Sequence, residues 1–469
     1  MTPSSVYPLA RTGPALRWND VDIGYPKLAA MADAAFSTVV DLPGDGPVGL
    51  LGKKSPGTIA VVLACLRAGR PFLLPSPDLG ADARAELFRV AGCANVLHTE
   101  DLLVEVVAAN PVDLQGVGFM LATSGSTGVP KVVPLPRAAV DAFTGWAAEH
   151  FGIGPGTVVF NYAPLNFDLC LLDVWTTLAR GGLVVLVDPE RALDGRYLLR
   201  TFTGADVEVV QGVPMFYRLL LDAARAEGTT FPHVRELVCT GDATPTALLR
   251  ELPEVFPNAR LHNVYGCTET NDSFVHEIDP AADGPVPIGR PIPGVHAVVV
   301  DEDGKTVVGE GTGELLVSTP FQAGRYLDPA LTEKAWSEGF FRSGDRVRRD
   351  ADGLFHLVGR TDFQVKVRGV RTNLQEVERV MLDHPGVADA VVLAVPDDTA
   401  GHRLHAIVRR APGEALNSLG LRRHCAVNLP RTAVPSGLDI TDEEFPRTST
   451  GKVDRKQLTK GVRLSATID

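Results

Sequence analysis

Between about residues 37 and 300, short β-branched runs alternate with alanine- and leucine-rich stretches of helical composition, and few chain layouts satisfy that alternation. The runs include Val117 to Leu121, Val158 to Tyr162, Leu183 to Val187, Val207 to Gln211 and Arg235 to Val238. Continuous apolar runs suit strands buried on both faces, so the pattern predicts a large α/β domain of largely parallel strands with active loops at strand ends. Around 296 to 359 the pattern changes to alternating strands with turn signals at Asp303-Gly304 and Asp352-Gly353, which predicts a β-rich subdomain. After Thr361-Asp362 come a basic strand (QVKVRGVR), a helix carrying LQEVERVMLDHPG, the strand DAVVLAVP and a tail ending TSTGKVDRKQL. The expected division is therefore 1–360 as a large N-terminal domain and 361–469 as a small α+β C-terminal domain.

Composition removes several function classes. At about 100 to 200 residues per domain, 469 residues allow a sizeable core and an interdomain cleft, which a small binding module lacks. A net charge of −12 argues against a broad basic face for nucleic acid or acidic membranes, although a local phosphate pocket stays open. The six cysteines never fall in a C-x-x-C pair, which suits free thiols in a reducing compartment. The first 20 residues lack the apolar run of a signal peptide, and no segment approaches the about 18 apolar residues of a membrane span. A cytoplasmic protein with no nucleic-acid or membrane partner is expected.

The strand run Val117 to Leu121 leads into Thr123, Ser124, Gly125, Ser126, Thr127, Gly128 and Lys131. Glycines let the backbone present N–H groups to phosphate oxygens, the hydroxyls donate further hydrogen bonds, and the lysine adds positive charge. The spacing is not that of a Walker A loop, since Val132 follows the lysine. By composition alone such a cluster is also a good surface turn. Its order, TSGSTGVPK, resembles the phosphate loop of the AMP-forming adenylating superfamily, which includes acyl-CoA synthetases, firefly luciferase and nonribosomal peptide synthetase adenylation domains.

The resemblance continues in order from LRAGRPFLLP (66–75) to GKVDR (451–455). It implies ATP-dependent formation of an acyl-AMP from a carboxylate, with Mg²⁺. NVYGCTET supplies Asn263, Tyr265 as a flat ring for adenine, Gly266, Thr268 as a phosphate hydroxyl and Glu269 as a metal ligand. GDATPT, with Gly241, Asp242 and Ala243, resembles the adenine-side turn, while Asp345 and Arg360 match the ribose and phosphate contacts. Lys452 matches the catalytic lysine, Asp362 the interdomain hinge and Gly369 the face presented to a pantetheine thiol in the second reaction. Singly, most of these residues are also ordinary turn, cap or solvated positions.

In adenylation domains for α-amino acids, the aspartate of a Phe-Asp motif pairs with the substrate ammonium, and Asp168 holds that place in NFDLCLLDVW. The remaining pocket positions implied by motif are Leu169, Leu172, Gln211, Val238, Thr240, Val264, Asp272 and Ser273. Their mixed lining suggests a small, polar or cationic side chain, because polar groups removed from water need partners. TETN also resembles freestanding prolyl ligases, which keeps a cyclic imino acid open. No domain-length segment remains for a carrier, so the acceptor expected is a carrier protein in trans. An acyl- or aryl-CoA ligase, or an enzyme passing a small acid to an amine, is the alternative. Two departures stand out: Thr372-Asn373-Leu374-Gln375 where the family usually reads Ile-Glu-x-Gly, and Cys267 where Pro is common. Cys267 and Cys170 read as small packing residues, since neither has a histidine within its motif.

Overall fold

The structure, a computed structural model, describes residues 11–77, 79–123, 131–282, 284–360, 363–367, 370–397, 401–429, 433–447, 453–455 and 457–458. By internal contacts the chain divides into two units, Met1–Ala297 with Val317–Arg342, and Val298–Leu316 with Ser343–Asp469.

The first unit is α/β, as the alternation of runs requires. Among the described residues, a nine-stranded sheet is parallel across its centre, where Val158–Asn161, Val209–Gly212, Glu236–Cys239 and Arg260–Cys267 run alongside Leu183–Leu186 and Pro14–Trp18. Its edges turn antiparallel, at Val21–Gly24 on one side and at Asn271–Ile278 and Arg290–Pro291 on the other. A six-stranded sheet carries Val48–Leu51, Phe72–Leu73 and Val117–Thr123, with Lys131–Pro136 pairing antiparallel to the last of these. Helices cover the sheets because their apolar faces match. Pro56–Ala68 starts on Ser55, whose side chain accepts from the Thr58 amide, and stops at Gly69 in the left-handed conformation. Between sheet and helices lies an aromatic core of Phe160, Phe202, Phe216, Tyr217, Phe231 and Phe256.

The second unit holds two small sheets of its own. Gln364–Val367 pairs with Val370–Asn373, so the stretch expected as one basic strand is a hairpin. Val387–Asp397, Gly401–Arg410 and Gly437–Thr441 form a three-stranded sheet, and helices Leu374–Leu382 and Ser418–Asn428 complete its core through Val377, Met381, Leu421 and Cys425. Asn373 caps the first of these helices, accepting from the Gln375 and Glu376 amides, and its own amide donates to the Arg360 carbonyl. That bond, and the packing of the same helix on Phe355–Arg360, explain why contacts group residues 343–360 with the C-terminal elements, although the pattern of the sequence drew the boundary after 360.

A five-stranded sheet includes the strands His296–Val300, Gly311–Ser318 and Phe340–Arg349. The two Asp-Gly turns expected there put Gly304 at φ 78° and Gly353 at φ 75°, the left-handed conformation that such turns require. Among the described residues, no helix is long and apolar enough to cross a membrane.

Candidate active site

In an open parallel sheet, the carboxyl ends of the strands are where a ligand can meet several loops at once. Here those ends carry the singled-out motifs. Val158–Asn161 runs into the segment bearing Asp168, Val209–Gly212 has Gln211 as its penultimate residue, Glu236–Cys239 is followed by Thr240 and the exposed turn Gly241, Asp242 and Ala243, and Arg260–Cys267 contains Tyr265 and Gly266. Gly241 has φ 80°, and the Asp242 carboxylate accepts from the Ala243 amide at 2.8 Å. At Gly266 a bulge interrupts pairing with Asn271–Ile278, and a Cβ there would lie 2.1 Å from the Asn271 carbonyl oxygen. Only glycine fits that approach. The half-buried Tyr265 ring meets Phe274 edge-on at 5.7 Å between centroids.

Four distant stretches meet through two adjoining runs of side-chain contacts. Thr123 and Lys131 stand opposite each other in the antiparallel pair that flanks the glycine loop. The Lys131 ammonium lies 5.1 Å over the Tyr326 ring, a cation–π contact, and the Tyr326 hydroxyl donates to Glu269 Oε1 at 2.5 Å. Thr268, next in sequence to Glu269, donates to Asp168 Oδ2 at 2.8 Å. Lys131, Tyr326 and Glu269 are thus linked in one run, and Thr268 and Asp168 in a second that adjoins it through the 268–269 peptide bond.

Asp168 does not cap a helix. Its Oδ1 accepts from the adjacent Leu169 amide at 3.0 Å, and the chain then winds as a π-helix, Leu171–Thr176, before a short α-helix, Thr177–Arg180. The Thr176 hydroxyl donates to the Leu171 carbonyl five residues back, at 2.7 Å, which suits the wider turn. Phe167, Leu171 and Trp175 pack toward Met120 around a void of about 10 Å³, at the lower limit for holding one water.

Two of the four polar pocket candidates, Gln211 and Ser273, are partnered by side-chain hydrogen bonds. Gln211 is buried and donates to the Leu169 carbonyl at 2.9 Å; Ser273 is buried and donates to the Asn271 carbonyl at 3.1 Å. Asn263 donates to the Pro287 carbonyl at 2.7 Å. Leu172, Val238, Val264 and Thr240 are buried, and Leu169 is half-buried. Burial, reinforced by the negative charge of Asp168, pushes the Asp272 carboxyl up to about 7. Two carboxyl groups therefore influence each other here, and one of them titrates near neutrality.

In the second unit, Asp345 and Arg360 face each other across an antiparallel pair, with Arg360 Nη1 at 2.9 Å from Asp345 Oδ1. The pair keeps the carboxylate beside a cation. Ser124, Gly125, Ser126, Thr127, Gly128, Asp362, Gly369 and Lys452 lie outside the described residues. Cys170 is a buried thiol donating to the Pro164 carbonyl at 3.1 Å, and burial raises it well above the ordinary range, so it is no nucleophile. Cys267 lies at 3.2 Å from the Thr270 hydroxyl. All six cysteines are free.

Motif reading passed over Tyr326, which bridges Lys131 and Glu269, and a buried group of Lys54, Asn161 and Asp173 behind the Asp168 segment. Tyr326 stands in AGRYLDP, just ahead of the helix Pro329–Ala335 that Asp328 caps. That cap is the one local signal. Lys54 follows a second lysine at the end of a strand, where charge is expected to be exposed.

A family model described as AMP-binding enzyme matches residues 104–327, and one described as AMP-binding enzyme C-terminal domain matches 376–452. An L-proline--[L-prolyl-carrier protein] ligase from Pseudomonas fluorescens is 34% identical over 449 residues, covering 93% of this chain and 86% of that protein. A D-alanine--D-alanyl carrier protein ligase from Bacillus cereus is 28% identical, with 95% of each chain covered. In fold, the ATP-bound crystal structure of MatB from Rhodopseudomonas palustris superimposes with a TM-score of 0.83 at 22% identity, covering 99% of both chains.

Proposed function

The chain belongs to the AMP-binding enzyme family, and on that premise we propose that it adenylates an amino acid with ATP and passes the aminoacyl group to the pantetheine thiol of a carrier protein. The observation that carries this reading is the run of contacts from Lys131 through Tyr326 to Glu269 and, beside it, from Thr268 to Asp168, which joins a polyphosphate-side cation to an ammonium-side anion. A carboxylate between them would be held at one end by its own amino group.

The reaction needs no side-chain nucleophile. The substrate carboxylate attacks the α-phosphorus, pyrophosphate leaves, and the protein positions the reactants and neutralises charge. Lys131, Thr123 and the glycine loop residues 124–128 hold the departing phosphates, with Thr268 as a further hydroxyl. Gly241, Asp242, Ala243, Asn263, Tyr265 and Gly266 form the adenine side, and Asp345 accepts from the ribose with Arg360 beside it. Glu269 suits Mg²⁺: the Tyr326 hydroxyl takes one carboxylate oxygen, and the other remains as a hard ligand. Bound Mg²⁺ would neutralise charge on the pyrophosphate. Lys452 stabilises the charge that develops at the α-phosphate. Residues 361–469 then turn about Asp362 to bring the Gly369 face to the thiol.

For the substrate, Asp168 selects an α-amino acid, and the pocket lined by Leu169, Leu172, Gln211, Val238, Thr240, Val264, Asp272 and Ser273 favours a small, polar or cyclic side chain. The prolyl-carrier ligase among the relatives makes L-proline the first candidate. Free cysteines suit a reducing cytoplasm.

Asp168→Asn tests the assignment through ATP–pyrophosphate exchange with an amino acid and its des-amino analogue. Removing the charged partner of a buried ammonium costs on the order of 3 to 5 kcal/mol, a loss of at least about a hundredfold in kcat/KM for the amino acid. Equal use of both acids by the wild type would overturn the role of Asp168.

A further inference from the structure

Lys54 lies between the strand Val48–Leu51 and the helix that Ser55 caps, yet it is only 6% exposed. Its ammonium, with three N–H donors, lies within hydrogen-bond distance of four acceptors on three consecutive residues: Asn161 Oδ1 at 3.0 Å, and the carbonyls of Asn161 at 3.3 Å, Tyr162 at 3.1 Å and Ala163 at 3.1 Å. These residues begin the segment that carries Asp168. The other end of that segment is tied back to the same place. Asn161 Nδ2 donates to Asp173 Oδ2 at 2.9 Å from within the π-helix turn, and Cys170 donates to the Pro164 carbonyl.

Taking an ammonium and a carboxylate out of water is expensive, and well-packed apolar side chains of similar volume often stabilise a fold as well or better. Asp173 is fully buried, and its Oδ1 has no hydrogen-bond partner. Burial pushes the Lys54 ammonium below its ordinary range and the Asp173 carboxyl above its own. Lys54 is too enclosed to touch a substrate. What the cluster uniquely supplies is directional bonding to both ends of one short loop.

We propose that Lys54 is a positioning residue for amino-acid binding: with Asn161 and Asp173 it clamps the segment 161–173 and so sets where the Asp168 carboxylate stands. The proposal rests on the reading that Asp168 receives the substrate ammonium. A shift of an ångström in that carboxylate weakens the pairing and reaches the phosphate side only through Thr268, whose hydroxyl donates to Asp168 Oδ2, while Lys131, Tyr326 and Glu269 are held from other elements.

The test compares Lys54→Met, the double variant Lys54→Met/Asp173→Leu and Asp168→Asn in ATP–pyrophosphate exchange, with thermal midpoints recorded alongside. Lys54→Met is expected to raise KM for the amino acid about tenfold or more while KM for ATP stays within about threefold. The double variant, which leaves no lone buried charge, is expected to recover the thermal midpoint but not the amino-acid KM. A Lys54→Met enzyme with unchanged amino-acid KM, or a double variant restored in both, would make the cluster purely structural and overturn the proposal. If Asp168→Asn leaves amino-acid KM unchanged while Lys54→Met raises it, the ammonium role of Asp168 falls, and with it the proposal that Lys54 acts through that carboxylate.

Discussion

Asp272 is the residue whose environment has the most direct consequence for activity. Burial and the neighbouring Asp168 hold its carboxyl at about 7, against an ordinary 3.8. The folded state therefore keeps a proton that the unfolded chain loses, so this group's contribution to stability declines as pH rises between those two values. Binding has the opposite sign, because an ammonium in the pocket favours the ionised form. KM for the amino acid should fall as pH rises through about 7, and Asp272→Asn should flatten the profile, as measured by exchange kinetics. A rising KM would contradict this electrostatic reading. Tyr326 gives a second expectation. Tyr326→Phe keeps the ring under Lys131 but removes the hydroxyl from Glu269, so kcat should drop about tenfold, the worth of one hydrogen bond to a charged group, with amino-acid KM little changed. Asp168, Asp272 and Glu269 were legible as residues in ordered motifs. Tyr326 was not, since it lies 57 positions from Glu269 and nothing in AGRYLDP signals chemistry. Lys54 was hidden for another reason: a lysine reads as solvated unless its acceptors, here more than 100 positions away, are known.

At the scale of elements, the buried parallel strands were the most legible feature, because runs such as Val158 to Phe160 and Leu183 to Leu186 are apolar on both faces. Two elements were not readable. QVKVRGVR has no turn stronger than Arg-Gly, so its hairpin looked like one strand. The π-helix after Asp168 has the composition of an ordinary helix, and its wider turn comes with the Thr176 hydroxyl bonded to the Leu171 carbonyl and Asp173 bonded to Asn161. Asn373, a departure from the family pattern, is explained by its two tasks as helix cap and partner of the Arg360 carbonyl. The bulge at Tyr265 and Gly266 carries an expectation of its own. A methyl at Gly266 would meet backbone rather than a movable side chain, so Gly266→Ala should distort the Asn271 turn and raise KM for ATP about tenfold or more, read in exchange assays. A variant with unchanged ATP kinetics would show that the tight turn has no bearing on the nucleotide.

For the whole molecule, the alternation of runs was enough to foresee an α/β first unit and a small α+β region near the C-terminus, whereas the exact partition was not. Residues 343–360 belong by contact with the C-terminal elements because Asn373 and its helix hold them there, a long-range consequence that local patterning does not carry. The family resemblance, spread in order from residue 66 to 455, pointed to the reaction class, and the contacts Lys131–Tyr326–Glu269 and Thr268–Asp168 bring its singled-out residues together in this chain. ATP–pyrophosphate exchange across a panel of amino acids, led by L-proline and including D-alanine, with Lys452→Ala in parallel, is the most direct measurement. At least one amino acid should drive exchange in the wild type and none in the variant; silence from the whole panel, or full exchange in Lys452→Ala, would contradict amino-acid adenylation at this site.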